Sequence, residues 1–130
     1  MAKVLVYNVT DPQKLLTIRL ALARLGAAVR EVGPGELTHP IGYLLGYPGF
    51  APGLPGTVEP FREELLLMDG LRGQSLSRFL DELRAHDASV ALKAVVTEHN
   101  ANRSSLRLYR ELKQEHELMT KGKKSIHRQK

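Results

Sequence analysis

The chain has no cysteine and no tryptophan, and aromatic residues make up only 5% of its 130 positions. Without cysteine there are no disulfides, no thiolate nucleophile and no cysteine-held zinc or iron–sulfur site, and nothing ties the protein to an oxidising compartment. No run of about 18 apolar residues is present to serve as a membrane helix. Met1, Ala2 and Lys3 lead into four apolar residues and then Asn8, too short for the apolar core of an export signal. A soluble cytoplasmic protein with no membrane partner is the expectation.

Charge of one sign is also scarce, except at one end. The formal balance is +5, which in a compact domain would suggest a nucleic-acid footprint. Residues 1–120, however, hold 14 Lys or Arg against 14 Asp or Glu, and Lys121, Lys123, Lys124, Arg128 and Lys130 supply the whole surplus. The length suits one domain, read as 1–120, followed by a basic tail over 121–130. That tail has one apolar side chain, Ile126, too little to offset its ordering entropy, so it is expected to be disordered.

What is present begins with an apolar strand over Lys3 to Tyr7. Thr10, Asp11 and Pro12 form a helix start: a side-chain oxygen can accept from an orphan amide, and proline stands where no amide is needed. Leu15, Ile18, Leu22 and Leu25 then share a helical face up to Gly26, and Ala28 to Val32 read as a second strand. Arg30 and Glu31 point to opposite faces of it, which suits a sheet edge. The pattern restarts with a strand over Leu65 to Met68, a helix with Leu76, Phe79, Leu80 and Leu83 on one side, and a strand over Val90 to Val96.

A shift of 61 positions lays Val4 on Leu65, Leu15 on Leu76, Ile18 on Phe79 and Val29 on Val90, so a strand–helix–strand unit is used twice. A last helix runs from about Ser104 to Met119, with Leu106, Tyr109, Leu112, His116 and Met119 on one side. Strands one and three are the most apolar and belong at the centre. The fold class expected is α+β: two βαβ units in a ferredoxin-like four-stranded sheet, with a long insert and an extra C-terminal helix. The alternative is an α/β domain with a four-stranded parallel sheet. The middle segment has no helix of ordinary crossover length, which favours the first.

That middle segment, residues 33–60, holds seven of the eleven glycines and six of the seven prolines, with Tyr43, Leu44, Leu45, Tyr47 and Phe50 among them. Loops of this length are functional or disordered, and the aromatics argue for order. Ile41 to Leu45 can form one helical turn. Tyr43, Leu44, Tyr47 and Phe50 are read either as cover for the sheet or as a surface for an unidentified protein partner or a second copy of the chain.

Catalytic constellations are absent or weak. The histidines at 39, 86, 99, 116 and 127 show no metal-ligand spacing, and His116 reads as a packing residue. Ser75 and Ser77 stand at a helix start, where serine caps, and not in a nucleophile elbow. No catalytic residue, metal or cofactor is expected. The turn from Thr97 to Arg103 is rich in polar side chains; in a parallel sheet Thr97 and Asn100 would join Asn8 and Asp69 at the carboxyl ends of the strands, where α/β folds bind small ligands. In the ferredoxin-like sheet Asn8 and Asp69 fall at opposite ends. Arg103, Arg107 and Arg110, continued by Lys121, Lys123 and Lys124, are read either as a solvated face or as a contact for a phosphate backbone.

Gly-Tyr-Leu-Leu-Gly at 42–46, Leu-Leu-Met-Asp-Gly-Leu at 66–71 and Leu-Lys-Ala-Val-Val-Thr at 92–97 with Asn100 resemble the small bacterial family known as domain of unknown function 3783. The likeness extends to about residue 120. Where that family usually has Thr-Pro-Thr-Asn followed by Trp, this chain has Thr97, Glu98, His99 and Asn100, with Arg103 near the place of the aromatic. The family has no established activity, so the resemblance implies boundaries and no function. The leading expectation is a non-enzymatic interaction or regulatory module; a small-ligand or nucleotide-binding domain and a nucleic-acid-binding protein are the alternatives.

Overall fold

The computed structural model describes residues 1–54 and 58–128, with side chains as far as Thr120. Strand β1 (Lys3–Tyr7) is followed by α1 (Pro12–Arg24), where the Asp11 carboxylate accepts from the Gln13 amide and Pro12 occupies the first turn. After the left-handed exit at Gly26, β2 (Ala28–Val32) begins. A 3-10 turn at Pro34–Glu36 and the short helix α2 (Ile41–Leu44) mark the insert. Then come β3 (Leu65–Asp69), α3 (Gly73–Ala85), β4 (Leu92–Val95) and α4 (Ser105–Arg128). Among the described residues no helix is long and apolar enough to cross a membrane.

The sheet order is β2-β1-β3-β4. β1 and β3 are central and β2 and β4 lie at the edges, as the apolar content of the strands predicts. The expected ferredoxin-like order is corrected: there β3 would lie between β1 and β2, whereas here Val4 pairs directly with Val29 in a parallel ladder. Three residues link α1 to β2, and each βαβ unit closes onto the strand it left; the insert then carries the chain to the free edge of β1. The wholly parallel alternative is overturned as well, because β1 and β3 are antiparallel, Leu5 facing Leu67, while β3 and β4 are parallel.

The duplicated unit is visible in space, with a one-residue correction. The helices of the two units, α1 and α3, are offset by 61 positions, but β1 and β3 are offset by 62. Strand side chains alternate between faces, so that residue matters. Val4 and Val6 share a face with Leu66 and Met68, against Ile18, Leu22, Phe79 and Leu83 of α1 and α3. Leu65, the partner of Val4 at a shift of 61, lies on the other face. In the corrected alignment Asn8 matches Gly70, and both leave their strands in the left-handed region, at φ 63° and 84°.

The second face carries Leu5, Tyr7, Leu65 and Leu67, covered by Leu37, Ile41, Leu44 and Leu45 of the insert together with Phe61, Leu108 and Tyr109. The insert is therefore a cover as well as a connection. Arg30 holds it from β2, donating to the Leu44 carbonyl at 2.6 Å and to Glu36 at 2.6 Å, and Lys3 donates to the Leu45 carbonyl. From the other side, the Ile41 and Gly42 amides donate to the carbonyls of Arg103 and Ala101. α4 continues past Met119 to Arg128, through most of the segment expected to be a disordered basic tail, and the side chains of residues 121–130 lie outside the described residues.

Candidate functional site

The carboxyl ends of the parallel pair β3 and β4 meet the start of α3 at one end of the sheet. β3 closes on Asp69; Gly70 then turns the chain so tightly against Ala2 that a β-carbon there would come within 3.0 Å of the Ala2 Cα. β4 runs out into Val96 and Thr97. The insert reaches the same end, because Leu45 sits over Lys3 and Lys3 is opposite Asp69 in the ladder. Tyr47 follows, between Gly46 and Gly49, both at positive φ.

These segments enclose an open cleft of about 360 Å³ lined by Tyr47, Phe50, Asp69, Arg72, Val96, Thr97, Glu98 and Ala101. The Tyr47 hydroxyl donates to the Asp69 carboxylate. That hydrogen bond, with burial and the negative charge of Asp69 adding to it, pushes the tyrosine up to about 12. The Phe50 ring lies on Gly42, where a β-carbon would overlap it at 2.5 Å. The apolar wall of the cleft thus depends on a residue with no side chain, eight positions earlier.

Four of the residues read from the sequence meet here: Tyr47 and Phe50 from the partner set, Asp69 and Thr97 from the ligand set. Asn100 supports them from behind. Its Oδ1 accepts from the Thr97 amide at 2.8 Å, its own amide donates to Thr97 Oγ1, and its Nδ2 donates to the Val95 carbonyl at 3.0 Å. Asn8 does not join them. The antiparallel pairing of β1 and β3 places it at the opposite end of the sheet, where Nδ2 donates to the carbonyls of Phe61 and Glu63 at 3.0 Å each.

In the partner set, Leu44 is core, only 2% exposed, and offers no surface. Tyr43 is half-exposed with its ring 4.8 Å from that of His39. Arg103, from the basic row, is engaged: Nε bonds Glu111 at 2.9 Å and Nη1 donates to the His99 carbonyl at 2.8 Å. Arg107 pairs with the same Glu111, and Arg110 is exposed. Lys121, Lys123 and Lys124 lie outside the described side chains. His116 is corrected from a packing residue to an exposed one, because α4 has run past the edge of the core at that point.

Sequence reasoning missed Arg72 and Val96, and within the turn it named from Thr97 to Arg103 it did not single out Glu98 and Ala101. Arg72 follows the turn after β3, and the strand-end rule that singled out Asp69 extends to it. A second polar cluster was also missed. Phe61 stacks on Tyr109 with centroids 3.9 Å apart, the Tyr109 hydroxyl donates to Glu63 at 2.5 Å, and Lys113 pairs with Glu63 at 2.8 Å. The Lys113 ammonium, then the Tyr109 hydroxyl, hold the Glu63 carboxyl down at about 2. Burial first, and then Glu63, push Tyr109 up. This cluster ties the segment leading into β3 to α4.

A groove of about 400 Å³ between α1 and α3 is larger than the cleft. Arg24 spans it to Glu82, and its floor, Ala21 and Phe79, is core packing. Among the described residues no group of three or more His, Asp or Glu is placed to hold a metal ion.

Fold and site together define a class: a mixed α/β domain with an open four-stranded sheet and a cleft at the carboxyl ends of one parallel strand pair. Residues 64–119 match the model of the family described as Domain of unknown function (DUF3783), so the resemblance read from the sequence is shown over that segment. The match takes in β3, α3, β4 and α4 as far as Met119, together with Asp69, Arg72 and the turn at 97–101. It leaves out the first βαβ unit and the insert, including Gly42 to Gly46. No curated protein and no solved structure matches the chain.

Proposed function

We propose that the protein is a binding domain that takes a small polar ligand in the cleft between Tyr47, Arg72 and Thr97. One observation carries the reading: side chains from three separate segments, the insert, the turn that joins β3 to α3 and the turn after β4, line one concavity at the carboxyl ends of parallel strands. Open α/β sheets bind ligands in that position. The volume lies at the small end of the range for small-molecule sites, about 300–1,000 Å³, and a few polar groups stand among aromatic and aliphatic ones as such sites require.

The test is a small-molecule fragment screen on the full chain followed by amide NMR. Shifts clustering at Tyr47, Arg72, Thr97 and Ala101 support the reading. Fragments that shift only other regions, or none that bind, overturn it.

A protein partner seated on the insert is the second reading, favoured by the half-exposed rings of Tyr43 and Tyr47. Tyr43 is absent from the cleft lining, so Tyr43→Ser separates the two. It weakens a protein complex and leaves fragment binding in the cleft unchanged.

A further inference from the structure

We infer that the ligand of this cleft is a small zwitterion of the α-amino-acid type with an apolar side chain. The inference rests on the binding reading above and concerns its chemistry. Three charged side chains line the cleft: Arg72 at the head of α3, Asp69 at the end of β3 and Glu98 on the turn after β4. Among the described residues neither Arg72 nor Glu98 has an ion-pair partner. A ligand carrying only an anion would gain the guanidinium but face two carboxylates. One carrying only a cation would gain the carboxylates but face Arg72. A molecule with both charges satisfies both signs.

The carboxylate of such a ligand belongs at Arg72, whose planar fork matches it and which stands at the positive end of the thirteen-residue α3. Its ammonium belongs at Glu98 and at the Asp69 oxygen that Tyr47 leaves free, since the tyrosine donates to Oδ2 alone. Thr97 Oγ1 accepts from the Asn100 amide, so its own hydroxyl proton is free to donate to the ligand carboxylate. Phe50, Val96 and Ala101 supply the apolar lining that a ligand side chain needs.

The test uses the full chain and three related probes: L-phenylalanine, phenethylamine, which lacks the carboxylate, and 3-phenylpropionate, which lacks the ammonium. Affinities are read by calorimetry and sites by amide NMR. The amino acid is expected to bind at least about tenfold more tightly than either analogue, about the difference that one charge-assisted hydrogen bond makes. Arg72→Gln is expected to bring it down to the level of the amine, and Glu98→Gln to the level of the acid. Equal affinity of all three probes, with shifts at Tyr47 and Thr97, overturns the zwitterion and leaves the binding cleft standing. Shifts confined to other parts of the molecule, or no binding by any probe, overturn both.

Discussion

Tyr47 and Asp69 are joined across the cleft: the hydroxyl of a residue in the glycine- and proline-rich insert donates to the carboxylate that ends β3. The insert, which follows an edge strand, is thereby fastened to a central one. The bond needs the tyrosine proton, and it pushes Tyr47 up to about 12 from an ordinary value of 10.0. Between those values the folded chain keeps a proton that the unfolded chain gives up, so Tyr47 contributes stability below pH 10 that is lost as pH rises toward 12. Ring-carbon NMR should find Tyr47 titrating near 12 in the native chain and close to 10 in Asp69→Asn. An unchanged titration in that variant would show that the carboxylate is not its partner.

The two close approaches made by glycine in the insert should fail differently. At Gly42 a β-carbon meets the Phe50 ring, a side chain that can swing away; at Gly53 it meets the Thr38 carbonyl, which is backbone. Gly42→Ala is therefore expected to cost about 1–2 kcal/mol and Gly53→Ala about 3 kcal/mol, in line with overpacking elsewhere. Urea unfolding gives the order. Gly42→Ala should also displace the apolar wall of the cleft, visible as shifts at Val96 and Ala101; equal stabilities for the two variants would refute the distinction.

Much of the fold was legible because βαβ units write themselves in periodicity. Leu15, Ile18 and Leu22 mark α1, Phe79 and Leu83 mark α3, and the apolar strands are the central ones. Strand order was not legible, because hydrophobicity states that a strand is central without stating which neighbour it takes. The offset between β1 and β3 was missed by one residue for a related reason: β3 is apolar at each position from Leu65 to Met68, so sequence alone cannot tell Leu65 from Leu66 as the residue facing α3. At the site, Asp69 and Thr97 could be named from their places at strand ends. Tyr47 was placed in a contact surface, and its bond to Asp69 depends on where a 28-residue segment folds back, which no local pattern records.

Glu63 should show its surroundings at low pH. Lys113 and Tyr109 lower it from an ordinary 4.5 to about 2. A depressed carboxylate contributes stability that is fully present above the unfolded value and is lost as pH falls through the folded one, here between about 4.5 and 2. The side chains are two-fifths or more exposed, so the effect is small and screened by salt. The stability difference between the native chain and Glu63→Gln should shrink as pH drops across that window, and should already be smaller at pH 7 in 1 M salt. A difference independent of pH would mean that the carboxylate contributes through shape and not through charge.

The deepest polar contact among the described residues joins Tyr7 of β1 to Ser105 at the start of α4, oxygen to oxygen at 2.5 Å, with the residues 1% and 0% exposed. Burial pushes the phenol well above its ordinary value, so both groups are neutral hydroxyls that satisfy each other. Removing one leaves the other buried without a partner, at about 1–3 kcal/mol; removing both leaves an apolar contact of nearly the same shape. Tyr7→Phe and Ser105→Ala should each destabilise by that amount, and the double variant by clearly less than the two combined, with a coupling of about 1–2 kcal/mol. This contact sets the first turn of α4 against the sheet, and the turn at 97–104 leads directly into it, so the single variants should also perturb the Thr97 amide. Strict additivity in urea unfolding, with the Thr97 resonance unmoved, would show that apolar packing alone seats α4.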